Sequence, residues 1–215
     1  MAAVSGTDAT PSRTLAGTDA TPSGTFAKAD AVALALDTLP GPAVCTTGYT
    51  ARLGAARGED RVLPLVGSMG LALPVGIGIA ATTGRTTLVL DGDGSLLMNP
   101  ADPLELGSRP DLPLVHVVLD DGAYASTGAQ PVPSQRVDVP ALARAAGVTD
   151  ARRVEGADAL RAALLEAAQA RRPVVLHCPV TSDSGPPAPR VDTPLPTLAR
   201  RFTMEAFERG EPRER

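Results

Sequence analysis

An α/β fold, with a parallel sheet carrying helices on both faces, follows from three features of the sequence. Short runs of strand-forming apolar residues recur at 43–47, 62–66, 86–91, 113–119 and 173–178. Segments with helical spacing or small-residue composition alternate with them. The two central runs, Leu88-Val89-Leu90 and Leu114-Val115-His116-Val117-Val118-Leu119, are apolar almost throughout, as strands covered on both faces must be. Strands alternating with helices build parallel βαβ units.

Taken in order, residues 1–25 hold a direct repeat, Gly6-Thr7-Asp8-Ala9-Thr10-Pro11-Ser12 and Gly17-Thr18-Asp19-Ala20-Thr21-Pro22-Ser23. A polar repeat with proline and no apolar period cannot bury enough surface to offset its ordering entropy, so a disordered leader is expected. Order is expected from Phe26, where Lys28, Ala29, Ala31, Val32, Leu34, Ala35 and Leu36 predict a helix that stops before Pro40-Gly41-Pro42. Ala43 to Thr47 reads as a strand, and Gly48-Tyr49-Thr50 opens a short helix to Arg57. A shorter strand, Val62 to Val66, leads to Gly67-Ser68-Met69-Gly70 and an apolar, small-residue helix over 71–82.

The central strand at 86–91 precedes a helical stretch at 96–108, interrupted by Pro100 and Pro103. The second central strand at 113–119 gives way to a loop at 120–137. Helices at 139–146 and 157–170 and a last strand at 173–178 complete the pattern. Beyond Pro179 the chain is rich in proline, with a surface helix expected over 196–207 and its Arg200-Arg201 pair on a solvated face. The predicted organisation is a leader (1–25), one α/β domain (26–180) and a C-terminal tail (181–215).

Composition narrows the function. A net charge of −4 offers no basic surface to nucleic acid, and without Trp and with few other aromatics there is little to stack on bases. Cys45 and Cys178 lie in strand runs and read as buried reduced thiols rather than a disulfide. Met1-Ala2-Ala3-Val4-Ser5-Gly6 has no basic region leading into an apolar core, so no signal peptide is expected. The longest apolar run, 71–82, is too short for a membrane span and contains Pro74, Gly76 and Gly78. A soluble cytoplasmic protein is the expectation.

The chemistry concentrates where the central strands end. The first runs out into Asp91-Gly92-Asp93-Gly94-Ser95, the second into Asp120-Asp121-Gly122. Two strands that each finish in an acid put two carboxylates at one sheet edge, where open α/β sheets bind ligands. Mg²⁺ takes oxygen ligands and is held by one or two carboxylates plus phosphate oxygens, so Asp93 and Asp121 are the predicted metal pair of a diphosphate site. Gly92 and Gly94 leave room for close approach to the backbone.

Three lookalikes are set aside. Gly76-Ile77-Gly78-Ile79-Ala80-Ala81 fits a loose dinucleotide pattern but sits inside a helix, where glycines serve packing. Asp91-x-Asp93-x-Ser95 imitates a calcium loop but has Leu96 where the turn glycine belongs. His116 and His177 lie within strand runs and read as core or strand-edge histidines.

Gly92-Asp93-Gly94-Ser95 through Leu119-Asp120-Asp121 resembles the thiamine-diphosphate motif, G-D-G followed about 25 residues later by Asn-Asn. Thr46-Thr47-Gly48-Tyr49-Thr50-Ala51-Arg52, Gly67-Ser68-Met69-Gly70, Asp91 to Met98 and Tyr124-Ala125-Ser126-Thr127-Gly128-Ala129-Gln130 are similar to the diphosphate-binding (PP) domain of thiamine-diphosphate-dependent decarboxylases. Closer still, these segments resemble phosphonopyruvate decarboxylase and the β subunit of sulfopyruvate decarboxylase, over about residues 42–179.

The resemblance implies thiamine diphosphate and Mg²⁺ as cofactors, with Asp93, Asp121 and the Ala123 carbonyl on the metal. It implies contacts to the cofactor from Gly48, Tyr49, Thr50, Gly67, Ser68, Met69, Gly92, Gly94 and Ser95. Of these, the Gly67 carbonyl would accept from the cofactor's exocyclic amine and Met69 would prop the cofactor in its bent form. Ser126, Thr127 and Gln130 would face the reacting centre, and Arg52 or Arg136 would meet a distal anion on the substrate.

Two departures stand out: the family has Asn where Asp121 stands, and Pro100 and Pro103 interrupt a normally smoother helix. The resembling enzymes also carry a catalytic glutamate on a separate pyrimidine-binding domain, for which this chain has no counterpart. The implied protein is therefore one half of a hetero-oligomeric lyase of phosphonate metabolism, acting on phosphonopyruvate, with a partner subunit supplying the glutamate. A sulfopyruvate decarboxylase β subunit, a carboligase or oxidoreductase half, and a non-catalytic cofactor-binding subunit are the alternatives.

Overall fold

Residues 26–182 and 185–208 are described in the computed structural model, so the leader expected at 1–25 lies outside the described residues. The domain opens with α1 (Lys28–Thr38), β1 (Ala43–Cys45), α2 (Tyr49–Ala56), β2 (Val62–Pro64) and α3 (Ala72–Thr83). Then come β3 (Thr87–Gly92), α4 (Asp93–Met98), α5 (Asp102–Gly107), β4 (Leu114–Asp120) and a small hairpin, β5 (Ala123–Tyr124) with β6 (Gln130–Pro131). α6 (Val139–Ala145), β7 (Asp150–Arg153), α7 (Gly156–Ala170), β8 (Val174–Pro179) and α8 (Leu195–Thr203) complete it.

Six strands form one parallel sheet in the order β2-β1-β3-β4-β8-β7. Side chains of a strand alternate between faces, and the two cores follow that alternation. Leu88, Leu90, Val115, Val117, Leu119 and Leu176 pack with Ala31 and Leu36 of α1 and Leu160 and Leu164 of α7. Val89, Leu114, Val118 and Val175 face the other way, onto Leu73 and Ile77 of α3, Leu106 of α5 and Ala143 of α6. Both faces are thus covered, which explains the unbroken apolar runs. Gly76 is a contact glycine: a Cβ there would lie 2.2 Å from Val89 Cγ2, so its absence lets α3 sit down on β3. Cys45 and Cys178 are buried and unbridged, and burial pushes both thiols up to about 12.

Four features depart from expectation. The helical stretch expected over 96–108 is two short helices: α4 starts three residues earlier, at Asp93, and the chain turns at 99–101 around Pro100, where Asn99 Nδ2 donates to Asp102 Oδ1 (2.7 Å). Proline has no N–H to continue the ladder, which is why the break falls there. β7 was not expected as a strand; Asp150, Arg152 and Arg153 hide it, and such charges are common on edge strands. The loop at 120–137 contains the β5/β6 hairpin, too short to leave a period. Finally, the tail helix is no mere surface element, because Phe202 and Ala206 are buried in the second core. Arg85 secures it by donating to the Glu205 and Ala206 carbonyls at 2.9 and 3.1 Å. Among the described residues, no helix is long and apolar enough to cross a membrane.

The start of the domain is stitched to the end of its sheet. Lys28 N–H donates to the Thr181 carbonyl (3.0 Å) and Thr181 N–H to the Phe26 carbonyl (2.9 Å).

Candidate active site

β1 has β2 on one side and β3 on the other, so the chain reverses direction across the sheet at β1. The crevice beyond the carboxyl ends of strands at such a switch is where open α/β sheets bind ligands. A cavity of about 730 Å³ opens there.

Four loops line it. After β1 come Thr46 to Arg52; Gly48 has φ 96°, a conformation that favours glycine, and turns the chain into α2. After β2 come Gly67 (φ 90°) and Met69. The turn from β3 into α4 contributes Gly92, Asp93, Gly94 and Ser95, and the segment after β4 contributes Asp121, Ala123, Tyr124, Ser126, Thr127 and Gln130. Every sequence-predicted site residue except Ser68 and Arg136 therefore borders one cavity. Ser68 stands in the turn with φ 56° and is not part of the lining. Of the two arginine candidates, Arg52 borders the cavity, its guanidinium 5.1 Å from the Tyr49 ring centroid. Arg136 does not; it lines a different cavity with Arg144, Arg152, Arg153 and His177.

Hydrogen bonds tie the loops together. Ser95 Oγ accepts from Thr46 Oγ1 (2.8 Å) and from the Gly70 N–H (3.1 Å), joining three loops at a buried hydroxyl. The Gly67 N–H donates to Thr47 Oγ1 (3.0 Å). Of the two glycines around Asp93, Gly92 leaves the backbone open as expected and Gly94 does not. A Cβ on Gly94 would come within 2.4 Å of the Tyr124 ring, so that space belongs to an aromatic side chain. Beside Gly92 the nearest atom to such a Cβ is 4.0 Å away, and there the backbone stays open to a ligand.

The acids divide into two groups. Asp93, buried at the tip of β3, lies within hydrogen-bonding reach of Asp120, and Ser134 Oγ bridges them, 2.9 Å from Asp93 Oδ2 and 3.0 Å from Asp120 Oδ1. Burial raises Asp93 to about 7, the negative charge of Asp120 adding to the effect. Burial also pushes Asp120 upward, but hydrogen bonds from His177 Nε2 (2.8 Å), Asp93 and Ser134, with the attraction of His177, together outweigh it and the carboxyl ends below its ordinary range. Asp121, next along the chain, meets other partners. Lys28 Nζ is 2.6 Å from its Oδ2, and Ser182 Oγ donates to the same oxygen at 2.9 Å. Its Oδ1 is buried and, among the described residues, has no hydrogen-bond partner.

A buried carboxylate oxygen without a donor suits a cation, because leaving such an atom unpaired is costly. Among the described residues, no group of three or more His, Cys, Asp or Glu converges to hold a metal unaided. Asp93, Asp121 and Ala123 border the same cavity, and carboxylates with a backbone carbonyl are the kind of oxygen donors that Mg²⁺ takes together with phosphate oxygens and water. The residues present fit a cation bound together with a phosphorylated ligand.

Comparison with known proteins decides the family. Residues 42–178 match the C-terminal TPP binding domain of the thiamine pyrophosphate enzymes. The chain belongs to that family. Among relatives of this thiamine pyrophosphate domain, a phosphonopyruvate decarboxylase of Streptomyces hygroscopicus is 36% identical over 181 residues, 83% of this chain and 45% of that protein. A second, from Streptomyces viridochromogenes, is 38% identical over 177 residues, 80% of this chain and 44% of that protein. The sulfopyruvate decarboxylase subunit beta of Methanothermobacter thermautotrophicus is 31% identical over 163 residues, 75% of this chain and 85% of that subunit. The chain thus spans somewhat under half the length of the first two and most of the third. In fold it is similar to a protein isolated from Mycobacterium smegmatis, with TM-score 0.61 and 24% identity over 73% of this chain and 32% of that one.

Sequence reasoning missed Lys28, Asp120, Tyr124, Ser134, His177 and Arg190, of which Lys28, Tyr124 and Arg190 border the cavity. One signal was available: Lys28 is the single lysine among twenty Lys and Arg residues.

Proposed function

We propose that this chain is the diphosphate-binding half of a Mg²⁺- and thiamine-diphosphate-dependent 2-oxo acid decarboxylase that converts phosphonopyruvate to phosphonoacetaldehyde and CO₂. One observation carries the reading. The four segments singled out in the sequence converge on a single cavity at the switch point, and a bare buried carboxylate oxygen of Asp121 lies among them.

Each residue then has a task. Asp93, Asp121 and the Ala123 carbonyl hold Mg²⁺. The turn at Gly48, Tyr49 and Thr50, together with Gly92, Gly94 and Ser95, receives the diphosphate. The Gly67 carbonyl accepts from the aminopyrimidine, Ser68 supports that turn from outside the cavity, and Met69 props the bent cofactor. When bound, thiamine diphosphate supplies the electron sink for the carbanion left by CO₂. Ser126, Thr127 and Gln130 border the reacting centre and orient the substrate's carboxylate and ketone. Arg52 meets the distal anion with a planar guanidinium suited to phosphonate or sulfonate. Asp93 must give up its proton to ligate the metal, as metal sites generally require.

A partner subunit supplies the pyrimidine-binding half and its glutamate. Val66, Met69 and Met98 line the cavity and are 53%, 38% and 57% exposed, an apolar rim that such a half would cover. The near-full-length likeness to a sulfopyruvate decarboxylase subunit beta supports a two-subunit enzyme and makes sulfopyruvate the second candidate substrate.

The test is reconstitution with a pyrimidine-domain subunit and assay of phosphonopyruvate and sulfopyruvate for aldehyde release. Aldehyde formation that needs thiamine diphosphate and Mg²⁺, and is lost in Asp93→Ala with assembly intact, is the expected result. A coupled ketol or acyl product would replace decarboxylation with carboligation or oxidoreduction. Cofactor uptake without turnover of either acid would leave only a binding subunit.

A further inference from the structure

Lys28 is buried, 7% exposed, and it opens α1 on the rim of the cavity. Its ammonium and the Ser182 hydroxyl both donate to Asp121 Oδ2, while Oδ1 of the same carboxylate is buried and has no partner among the described residues. The two oxygens therefore do different work. One is committed to the protein's own cation and hydroxyl, and the other is kept bare.

The commitment is held from the backbone. Lys28 N–H donates to the Thr181 carbonyl, and Thr181 N–H donates to the Phe26 carbonyl, so Lys28 and Ser182 are delivered to Asp121 by two segments hydrogen-bonded to each other. Charge gives the arrangement its purpose. Asp93, Asp120 and Asp121 gather three carboxyl groups at adjoining strand ends, and a diphosphate beside them adds more negative charge. Like charges brought together where water is excluded repel one another. Lysine serves here because its ammonium is a compact point charge on a flexible stem.

We propose that Lys28 and Asp121 form one neutral ligand unit: the ammonium cancels the carboxylate's charge and occupies Oδ2, leaving Oδ1 as a single ligating oxygen for the cation. Lys28 is thus a positioning residue for the metal–diphosphate site. The inference rests on the reading of this cavity as such a site.

The test is a double-mutant cycle on the full chain: wild type, Lys28→Met, Asp121→Asn and the double variant. The probe is Mn²⁺ with inorganic pyrophosphate, with free Mn²⁺ read by electron paramagnetic resonance and Tm recorded for each protein. Each single variant leaves one uncompensated charge in the site and is expected to weaken uptake about tenfold, whereas the double variant restores neutrality and one ligating oxygen and returns to within about threefold of wild type. Coupling in Tm without coupling in Mn²⁺ uptake would reduce the pair to a structural contact and overturn the inference. So would equal uptake by all four proteins, which leaves the metal–diphosphate reading standing. No uptake by the wild type overturns that reading and the inference together. Should Lys28→Met fail to fold, Asp121→Asn compared with the double variant decides the question, since the inference requires the double to bind more tightly.

Discussion

Asp93 and Asp120 share a hydroxyl yet move in opposite directions, and the difference sets how the site responds to pH. Asp93 titrates near 7 in the folded chain against an ordinary value of 3.8, so the folded state holds a proton the unfolded state has released. Stability from this group therefore falls as pH rises between about 4 and about 7. Asp120 is shifted downward, so its contribution is present above its ordinary value and is lost only as pH falls below that range. Urea unfolding at pH 5 and pH 8, without metal, is expected to give the lower stability at pH 8 from this pair, and Asp93→Asn to flatten the difference. Metal uptake at the proposed site is expected to run the other way, rising through pH 7 with release of one proton, as calorimetry in buffers of different ionisation enthalpy would measure. Much of this residue-scale chemistry was legible in the sequence, because a strand that ends in acid and glycine delivers its carboxylate locally. Its partners were not: Lys28 reaches Asp121 across 93 positions and Ser134 reaches Asp93 across 41, and only packing brings them together.

At the scale of elements, legibility followed burial. The five apolar strands were readable because both their faces are covered, whereas β7 carries edge-strand charges and β5 and β6 are two residues each. The tail helix was readable from its spacing, but its docking was not, since one aromatic side chain decides it. Phe202 is 4% exposed and packs into the core beneath α3, and Ala206 beside it is 1% exposed. Phe202→Ala is expected to cost about 3–5 kcal/mol, read as a lowered denaturant midpoint. Because α8 packs against β2, whose outgoing loop carries Gly67 and Met69, the same variant is expected to weaken Mn²⁺–pyrophosphate uptake as well.

For the whole molecule, the sheet order puts β1, β3 and β4 side by side, so segments from separate parts of the chain share one edge. The curated relatives differ in length although they share this unit: it fills 45% of one decarboxylase and 85% of a separately named subunit. The backbone stitch between Phe26 and Thr181 bears on that difference. Any polypeptide joined ahead of Phe26 arrives two residues from Lys28, at the mouth of the ligand crevice rather than on the far side of the sheet. The proposed pyrimidine-binding half, if tethered ahead of Phe26, would therefore join this unit beside the crevice that it is proposed to complete. Fusing the partner ahead of Phe26 through a short Gly/Ser linker is expected to preserve turnover while removing its dependence on subunit concentration, as dilution series of the fused and mixed enzymes would reveal.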